Sequence, residues 1–126
     1  EAHPVYGSLA KQLVKAFSYG QITAYSSVIT LAEVLPAPLR AGNETLAIMF
    51  AEFLKHGKNL NMVTISAEIA EKAGRLRAKH PALKAFDAMQ IAAALDVKAE
   101  LFVTNDKKLK NIEEPKVLVL EDYAVQ

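Results

Sequence analysis

Three acidic residues occur in apolar segments of this chain, where a solvated charge is uncommon. Glu33 lies in the segment SSVITLAEVL, Asp87 in LKAFDAMQIAAAL, and Asp106 at the end of LFVTND. Charged side chains are rarely buried unless they are paired or bind a metal ion. If the three carboxylates converge they need a cation, and the hard cations that carboxylates prefer are Mg²⁺ and Mn²⁺. The pattern therefore predicts a divalent metal site, with metal-assisted cleavage of a phosphodiester bond as its chemistry.

Each of these acidic residues also has a purely structural interpretation. Glu33 stands three residues after Thr30, which is the spacing of a capping box at the start of a helix. Asp87 lies near the start of a predicted helix, where the helix dipole favours a negative charge. Asp106 follows Asn105 in a predicted polar turn. The metal-site interpretation depends on the three together, because all three can reach one edge of one sheet.

Hydrophobic periodicity and turn residues predict strands that alternate with helices. Helices are expected at residues 8–19, 30–35, 43–56, 66–79 and 85–95, and strands at 22–28, 62–65, 101–104 and 117–120, with a polar turn or short helix at 106–111. The strands are short apolar runs, which is typical of a parallel sheet covered on both faces. We therefore expect an α/β fold, a three-layer α/β/α sandwich with a mostly parallel sheet, in one domain over residues 1–126.

The long helix predicted at residues 43–56, with Asn43 or Thr45 as its cap, carries many large apolar side chains. Its expected buried stripe consists of Leu46, Met49, Phe50, Phe53 and Leu54. In an alternative interpretation, Met49, Phe50 and Phe53 pack across a subunit interface, and the domain acts as a scaffold or dimerisation unit.

Composition excludes several classes of protein. The chain contains no Cys, so disulfides and thiolate metal sites are ruled out. No apolar run approaches the roughly 20 residues of a membrane span, and no N-terminal signal pattern is present, so we expect a cytoplasmic protein without membrane contact. The net charge of +1 says little about partners. Basic residues cluster at 72–84 and at 107–110, as solvated faces or as phosphate contacts.

Taken in order, SSVITLAEVL, LKAFDAMQIAAAL and LFVTNDKKL resemble the PIN domain, the nuclease fold of VapC-type toxins. The resemblance covers residues 5–123. It implies a ribonuclease that depends on Mg²⁺ or Mn²⁺, acts on RNA, forms a homodimer and is inhibited by a small cognate antitoxin protein.

The resemblance also implies roles for individual residues. Glu33, Asp87 and Asp106 match the acidic residues of the family, with Glu33 and Asp87 as metal ligands and Asp106 completing or orienting the site. The residues expected to contact substrate are Thr104 and Asn105, which match the polar residues beside the last acidic residue, together with Lys107, Lys108 and Arg75, which are candidates for phosphate contact. Without metal, such a site should hold some of its acids protonated or apart.

One departure from the family pattern affects these expectations. PIN domains open with a strand that ends in a metal-binding Asp, and no such strand precedes Glu1. In the family's strand order, 3-2-1-4-5, that strand is central. We therefore expect a truncated chain that binds metal weakly and cleaves poorly. The first strand in the chain would then pair directly with the strand at 101–104, or a second chain would fill the gap.

Two other functions fit parts of the pattern. The first is a non-catalytic PIN-like module that binds RNA or protein; three acidic positions argue against it, and the absent fourth argues for it. The second is a phosphoacceptor domain of receiver type. That class needs two acids after its first strand and a Lys after its last, and residues 118–121 contain no such Lys.

Overall fold

Helices and short strands alternate through residues 7–120, which are the residues that the structure, a computed structural model, describes. The helices are α1 (Gly7–Ser18), α2 (Val28–Val34), α3 (Pro36–Arg40), α4 (Glu44–His56), α5 (Ala67–Lys79), α6 (Ala85–Asp96) and a 3₁₀ helix (Lys107–Asn111). The strands are β1 (Ala24–Ser27), β2 (Leu60–Val63), β3 (Leu101–Thr104) and β4 (Lys116–Val119). None of the helices within this range has the length and hydropathy needed to cross a membrane.

The predicted elements are confirmed to within a few residues, and the connection between α2 and α4 holds one more helix than expected. Pro36 occupies the first turn of α3, where a missing N–H costs nothing. Gly42 then turns the chain with φ of 73°, a conformation that glycine adopts readily. Asn43 caps α4 as predicted, because its side chain accepts a hydrogen bond of 3.0 Å from the backbone N–H of Leu46.

The strands form two parallel pairs. In the first ribbon β1 pairs with β2, so that Ala24 is opposite Leu60, and in the second ribbon β3 pairs with β4, so that Leu101 is opposite Lys116. The prediction of parallel strands is therefore confirmed. Within residues 7–120, β1 is not paired with β3, so the direct pairing considered from the sequence does not occur.

Helices α5 and α6 form a layer that covers both ribbons. The buried centre of this layer is the alanine-rich face of α6, which includes Ala88, Ile91 and Ala92. Side chains from three strands pack against this core: Val63 from β2, Phe102 from β3 and Val117 from β4. Small side chains allow the helices to approach closely, and α5 and α6 make the most extensive contact between elements in the described part of the chain.

The predicted buried stripe of α4 is wrong at Met49 and Phe53. Met49 is 61% exposed and Phe53 is 41% exposed, whereas Ala47 is buried and Leu46, Phe50 and Leu54 are half-buried. Residues 47, 50, 51 and 54 share one face at helical spacing, and this face lies against the neighbouring elements, including β2. Met49 and Phe53 lie to one side of it, and the Phe53 ring contacts that of Phe17 on α1 with centroids 6.1 Å apart. An apolar surface of α4 is thereby left at the solvent.

Candidate functional site

Asp87 stands in the first turn of α6, half-buried. The helix dipole favours a negative charge at this position. Burial nevertheless raises the pKa of Asp87 above its usual 3.8, and the nearby carboxylate of Asp106 raises it further, while Lys84 acts in the opposite direction. The helix dipole therefore does not fully account for Asp87, because burial and the charge of Asp106 together outweigh the groups that favour its charged form.

Asp106 immediately follows β3 and is held by short-range hydrogen bonds. Its backbone N–H donates to the Thr104 hydroxyl at 3.1 Å, and its Oδ1 accepts from the N–H of Lys108 at 2.9 Å, which caps the 3₁₀ helix. The predicted polar turn or short helix is confirmed as this 3₁₀ helix, and Asp106 is its N-cap. These bonds fix the carboxylate at the carboxyl end of β3, near enough for its charge to act on Asp87.

Glu33 lies near the end of α2 and is exposed. The predicted capping box at Thr30 and Glu33 is wrong, because the N-cap of α2 lies three residues before Thr30. Its N-cap is Ser27, whose hydroxyl accepts from the N–H of Ile29 at 3.2 Å. Freed from that structural role, the Glu33 carboxylate accepts a hydrogen bond of 2.7 Å from the side-chain amide of Gln90 on α6.

A side-chain bridge therefore joins α2 to α6. The hydroxyl of Thr30 donates to the Gln90 carbonyl oxygen at 3.1 Å, and the other end of the same amide donates to Glu33. Gln90 is one helical turn after Asp87, so the two side chains are neighbours on α6. Sequence reasoning identified this i+3 spacing but gave neither Gln90 nor Thr30 a part in the site. The signal that could have found Gln90 is its position three residues after Asp87 on an otherwise apolar helix.

The structure brings the acidic residues together to different degrees. Asp87 and Asp106 interact electrostatically, and Glu33 is linked through Gln90 to the helix that carries Asp87. Within residues 7–120, no three His, Asp or Glu side chains are grouped closely enough to hold a metal ion by themselves. The expectation that Glu33, Asp87 and Asp106 share one ion stays a prediction.

The Asp87–Asp106 pair fits a hard divalent cation in its chemistry. Mg²⁺ is commonly held by one or two carboxylates, and water and substrate phosphates complete its coordination. Asp87, whose pKa is raised by burial and by the nearby charge of Asp106, and Asp106 itself supply the ligand type and the negative charge that such an ion needs. A third protein ligand is not required for this mode of binding, and Glu33 remains available on the adjoining helix.

The predicted substrate-binding residues fall into two groups. Thr104, Asn105, Lys107 and Lys108 surround Asp106 in sequence, and all except the half-buried Thr104 are exposed. Arg75 is exposed on α5, the helix packed against α6. Arg77, from the same basic cluster, has a structural role: its Nε donates to the carbonyl of Leu83 at 3.1 Å and so ties α5 to the segment before α6.

A separate open cavity of about 410 Å³ lies at the opposite ends of the first ribbon's strands. Its lining includes Thr23 and Asn61, together with residues 55–57 at the end of α4. Because β1 and β2 both begin there, the cavity is at their amino ends, whereas Glu33 and Asp106 follow carboxyl ends of strands. The ligand sites of open parallel sheets lie at the carboxyl ends. We therefore assign this cavity no part in the acidic site.

Comparison with known proteins agrees with this architecture. The family model described as "PIN domain" matches residues 5–115. Among solved structures, a chain of a toxin-antitoxin complex from Klebsiella pneumoniae is similar: the sequences are 27% identical, the match covers 88% of this chain and 82% of that one, and the TM-score is 0.66. No curated protein matches the chain. Similarity to this family therefore accounts for both the parallel α/β fold and the order of the acidic residues along the chain.

Proposed function

Because the chain belongs to the PIN domain family, whose members are in general metal-dependent nucleases, we propose that it is an endoribonuclease dependent on Mg²⁺ or Mn²⁺. The observation that carries this proposal is the Asp87–Asp106 pair, since a half-buried carboxylate beside a second carboxylate is stabilised by a bound cation. The similarity to a toxin-antitoxin complex supports the more specific proposal of a VapC-type toxin.

The residues would divide the work of phosphodiester cleavage as follows. Asp87 and Asp106 would hold the divalent ion, which, when bound, polarises a phosphate oxygen and lowers the pKa of a water molecule. Glu33 would join them as a further ligand from α2, directly or through water. The hydrogen bonds among Thr104, Asp106 and Lys108 would keep the Asp106 carboxylate at the strand end before the metal arrives.

Substrate contact would come from the basic and polar residues around the acids. Lys107, Lys108 and Arg75 would attract the RNA backbone, and Asn105 would contribute a neutral hydrogen-bonding group near the last acidic residue. Contacts of this kind read phosphate charge rather than sequence, so binding should weaken as salt concentration rises.

Metal dependence separates this function from a non-catalytic PIN-like module. With Mn²⁺ at about 100 times its dissociation constant, we expect stabilisation by about 2.7 kcal/mol in thermal unfolding, and cleavage of single-stranded RNA that EDTA abolishes. The control variant Glu68→Gln removes an exposed acid in the first turn of α5 and should leave both results unchanged. RNA binding with neither metal stabilisation nor cleavage would instead establish the binding module.

We also propose a cognate antitoxin protein as the partner and the cytoplasm as the site of action. The support for the partner is the similarity to a chain of the toxin-antitoxin complex from Klebsiella pneumoniae. Co-expression with the protein encoded beside this one should suppress the ribonuclease activity. An active nuclease with no inhibitory neighbour would leave the enzyme assignment intact and remove the toxin–antitoxin assignment.

The exposed apolar surface of α4 supports the proposal that the chain forms a homodimer. Ile48 and Met49 are 56% and 61% exposed, and side chains of this size are usually covered when a partner is available. We expect Met49→Lys to weaken self-association at least about tenfold in sedimentation equilibrium, because it places a charge in the interface. Ala70→Lys adds the same charge on an exposed part of α5 and serves as the control. Equal dimerisation of both variants would move the interface elsewhere.

A further inference from the structure

Gln90 connects two side chains that lie 60 and 57 residues away along the chain. Its carbonyl oxygen accepts from the Thr30 hydroxyl, and its amide nitrogen donates to the Glu33 carboxylate. A glutamine amide has one accepting end and one donating end. A carboxylate accepts only, so Glu33 requires the donating end, and the Thr30 hydroxyl satisfies the end that remains.

We infer that Gln90 is a positioning residue for Glu33 in the proposed metal-dependent nuclease, and that Thr30 sets the orientation of Gln90. This inference rests on the proposed function. A glutamate side chain that is exposed has several rotatable bonds and occupies many conformations unless something holds it. The bond of 2.7 Å from Gln90 is short and involves a charged acceptor, which places it among the stronger hydrogen bonds.

The position of Gln90 on α6 gives the bridge its direction. Asp87 lies one turn before Gln90 on the same helix, so anchoring Glu33 to Gln90 keeps it beside the turn that carries Asp87. Asp87 in turn interacts with Asp106, which follows β3. The bridge therefore brings Glu33, which follows β1 in the first ribbon, toward Asp87 and Asp106. Asp106 lies at the end of β3 in the second ribbon.

Magnitudes distinguish positioning from ordinary stabilisation. A hydrogen bond within a protein contributes about 0.5–1.5 kcal/mol net, and the Glu33 end of this one is solvent-exposed. Its loss should therefore have a small effect on folding. Residues that orient metal ligands have a much larger effect on the site, with losses of about 10–100-fold in metal affinity or activity. The two roles predict different readouts from the same variant.

The test is a set of variants examined by Mn²⁺ calorimetry without RNA. We expect Gln90→Leu to weaken Mn²⁺ binding about 10–100-fold while the thermal midpoint changes little, and Thr30→Val to act in the same direction with a smaller effect. In a Glu33→Gln background, Gln90→Leu should cause little further loss, because the group that it positions is already altered. Gln12→Leu makes the same change at an exposed site on α1 and is the matched control.

A second readout needs neither metal nor RNA. In NMR spectra of the metal-free protein, the side-chain amide of Gln90 should differ from that of the exposed Gln12 in chemical shift and hydrogen exchange, and Thr30→Val or Glu33→Gln should reduce the difference. A Gln90 amide that behaves like that of Gln12 would overturn the inference.

Two outcomes of the calorimetry separate the inference from the proposed function. If the unmodified chain binds Mn²⁺ and Gln90→Leu binds it equally well, the positioning role is overturned and the nuclease proposal stands. If the unmodified chain binds no Mn²⁺, the nuclease proposal fails, and the positioning role fails with it.

Discussion

Asp87→Asn is expected to reduce metal-dependent RNA cleavage at least about 100-fold while making the metal-free protein more stable at neutral pH. The loss of activity follows from removing a proposed ligand, since groups that merely support ligands already account for about 10–100-fold. The gain in stability follows from the raised pKa of Asp87, because an uncharged amide avoids both the burial of a carboxylate and its repulsion by Asp106.

The pH dependence of this stability difference has a definite sign. In the unfolded chain Asp87 should titrate near 3.8, whereas in the folded chain it titrates higher. Between these values the folded state binds more protons, so this residue's contribution to stability is lost as pH rises through the window just above 3.8. The stabilisation by Asp87→Asn should therefore be absent at pH below 3.8 and present at neutral pH.

The matched control for this prediction is Asp96→Asn, an exposed carboxylate at the end of the same helix. It should retain full cleavage activity. Urea unfolding at several pH values and an RNA cleavage assay measure the two effects separately. Loss of activity together with loss of stability in Asp87→Asn would indicate a damaged fold, and unchanged activity would remove Asp87 from the catalytic machinery.

Ile91→Ala is expected to lower the free energy of unfolding by about 2–5 kcal/mol, the range for truncating a large aliphatic side chain in a core. Ile91 is fully buried on α6, and its neighbours Ala88 and Ala92 are too small to fill the space that it leaves. The measurement is urea unfolding with the slope checked for constancy. Leu39→Ala, at a site on α3 that is 46% exposed, should change stability by no more than about 0.5 kcal/mol.

A smaller loss than about 1 kcal/mol in Ile91→Ala would contradict the packing of α6 described above. The result also bears on the site, because α6 carries both Asp87 and Gln90. Since both side chains are half-buried on this helix, a cavity beneath it should loosen the acidic edge as well as the core.

Local signals in the sequence were sufficient to locate most elements. The helix predicted to start at residue 66 has Ser66 as its N-cap, and Asn43, one of the two predicted caps of α4, accepts the backbone hydrogen bond expected of a cap. The strand at Leu101–Thr104 was also predicted at its observed bounds. These features depend on residues within a few positions of one another, and the physical rules that govern them are correspondingly local.

The errors arose where two local patterns competed. Thr30 and Glu33 have capping-box spacing, but Ser27 caps the helix three residues earlier, so Thr30 lies inside the helix and cannot be its N-cap. On α4, several apolar residues could form the inward face, and only packing against the neighbouring elements selects the one containing Ala47. Neither choice is determined by helical periodicity alone.

The relations among the acidic residues depend on tertiary packing, so the sequence could propose them but not measure them. Sequence order alone did not predict that the charge of Asp106 would act on Asp87. It also did not predict that Gln90 would link Glu33 to the helix that carries Asp87. Both results follow from tertiary packing, in which α6 contacts α2 and β1, and Phe102 of β3 packs against the buried core to which α6 contributes.

The separation of the two ribbons has a consequence for how finely this edge can be tuned. Backbone hydrogen bonds lock paired strands to a discrete register, whereas within residues 7–120 the ribbons are related to each other through side-chain packing on α5 and α6. Packed side chains permit small continuous displacements. A single methylene gained or lost beneath α6 would therefore change the gap between the carboxylates by a fraction of an ångström, a scale on which ion preference is decided, without touching any ligand.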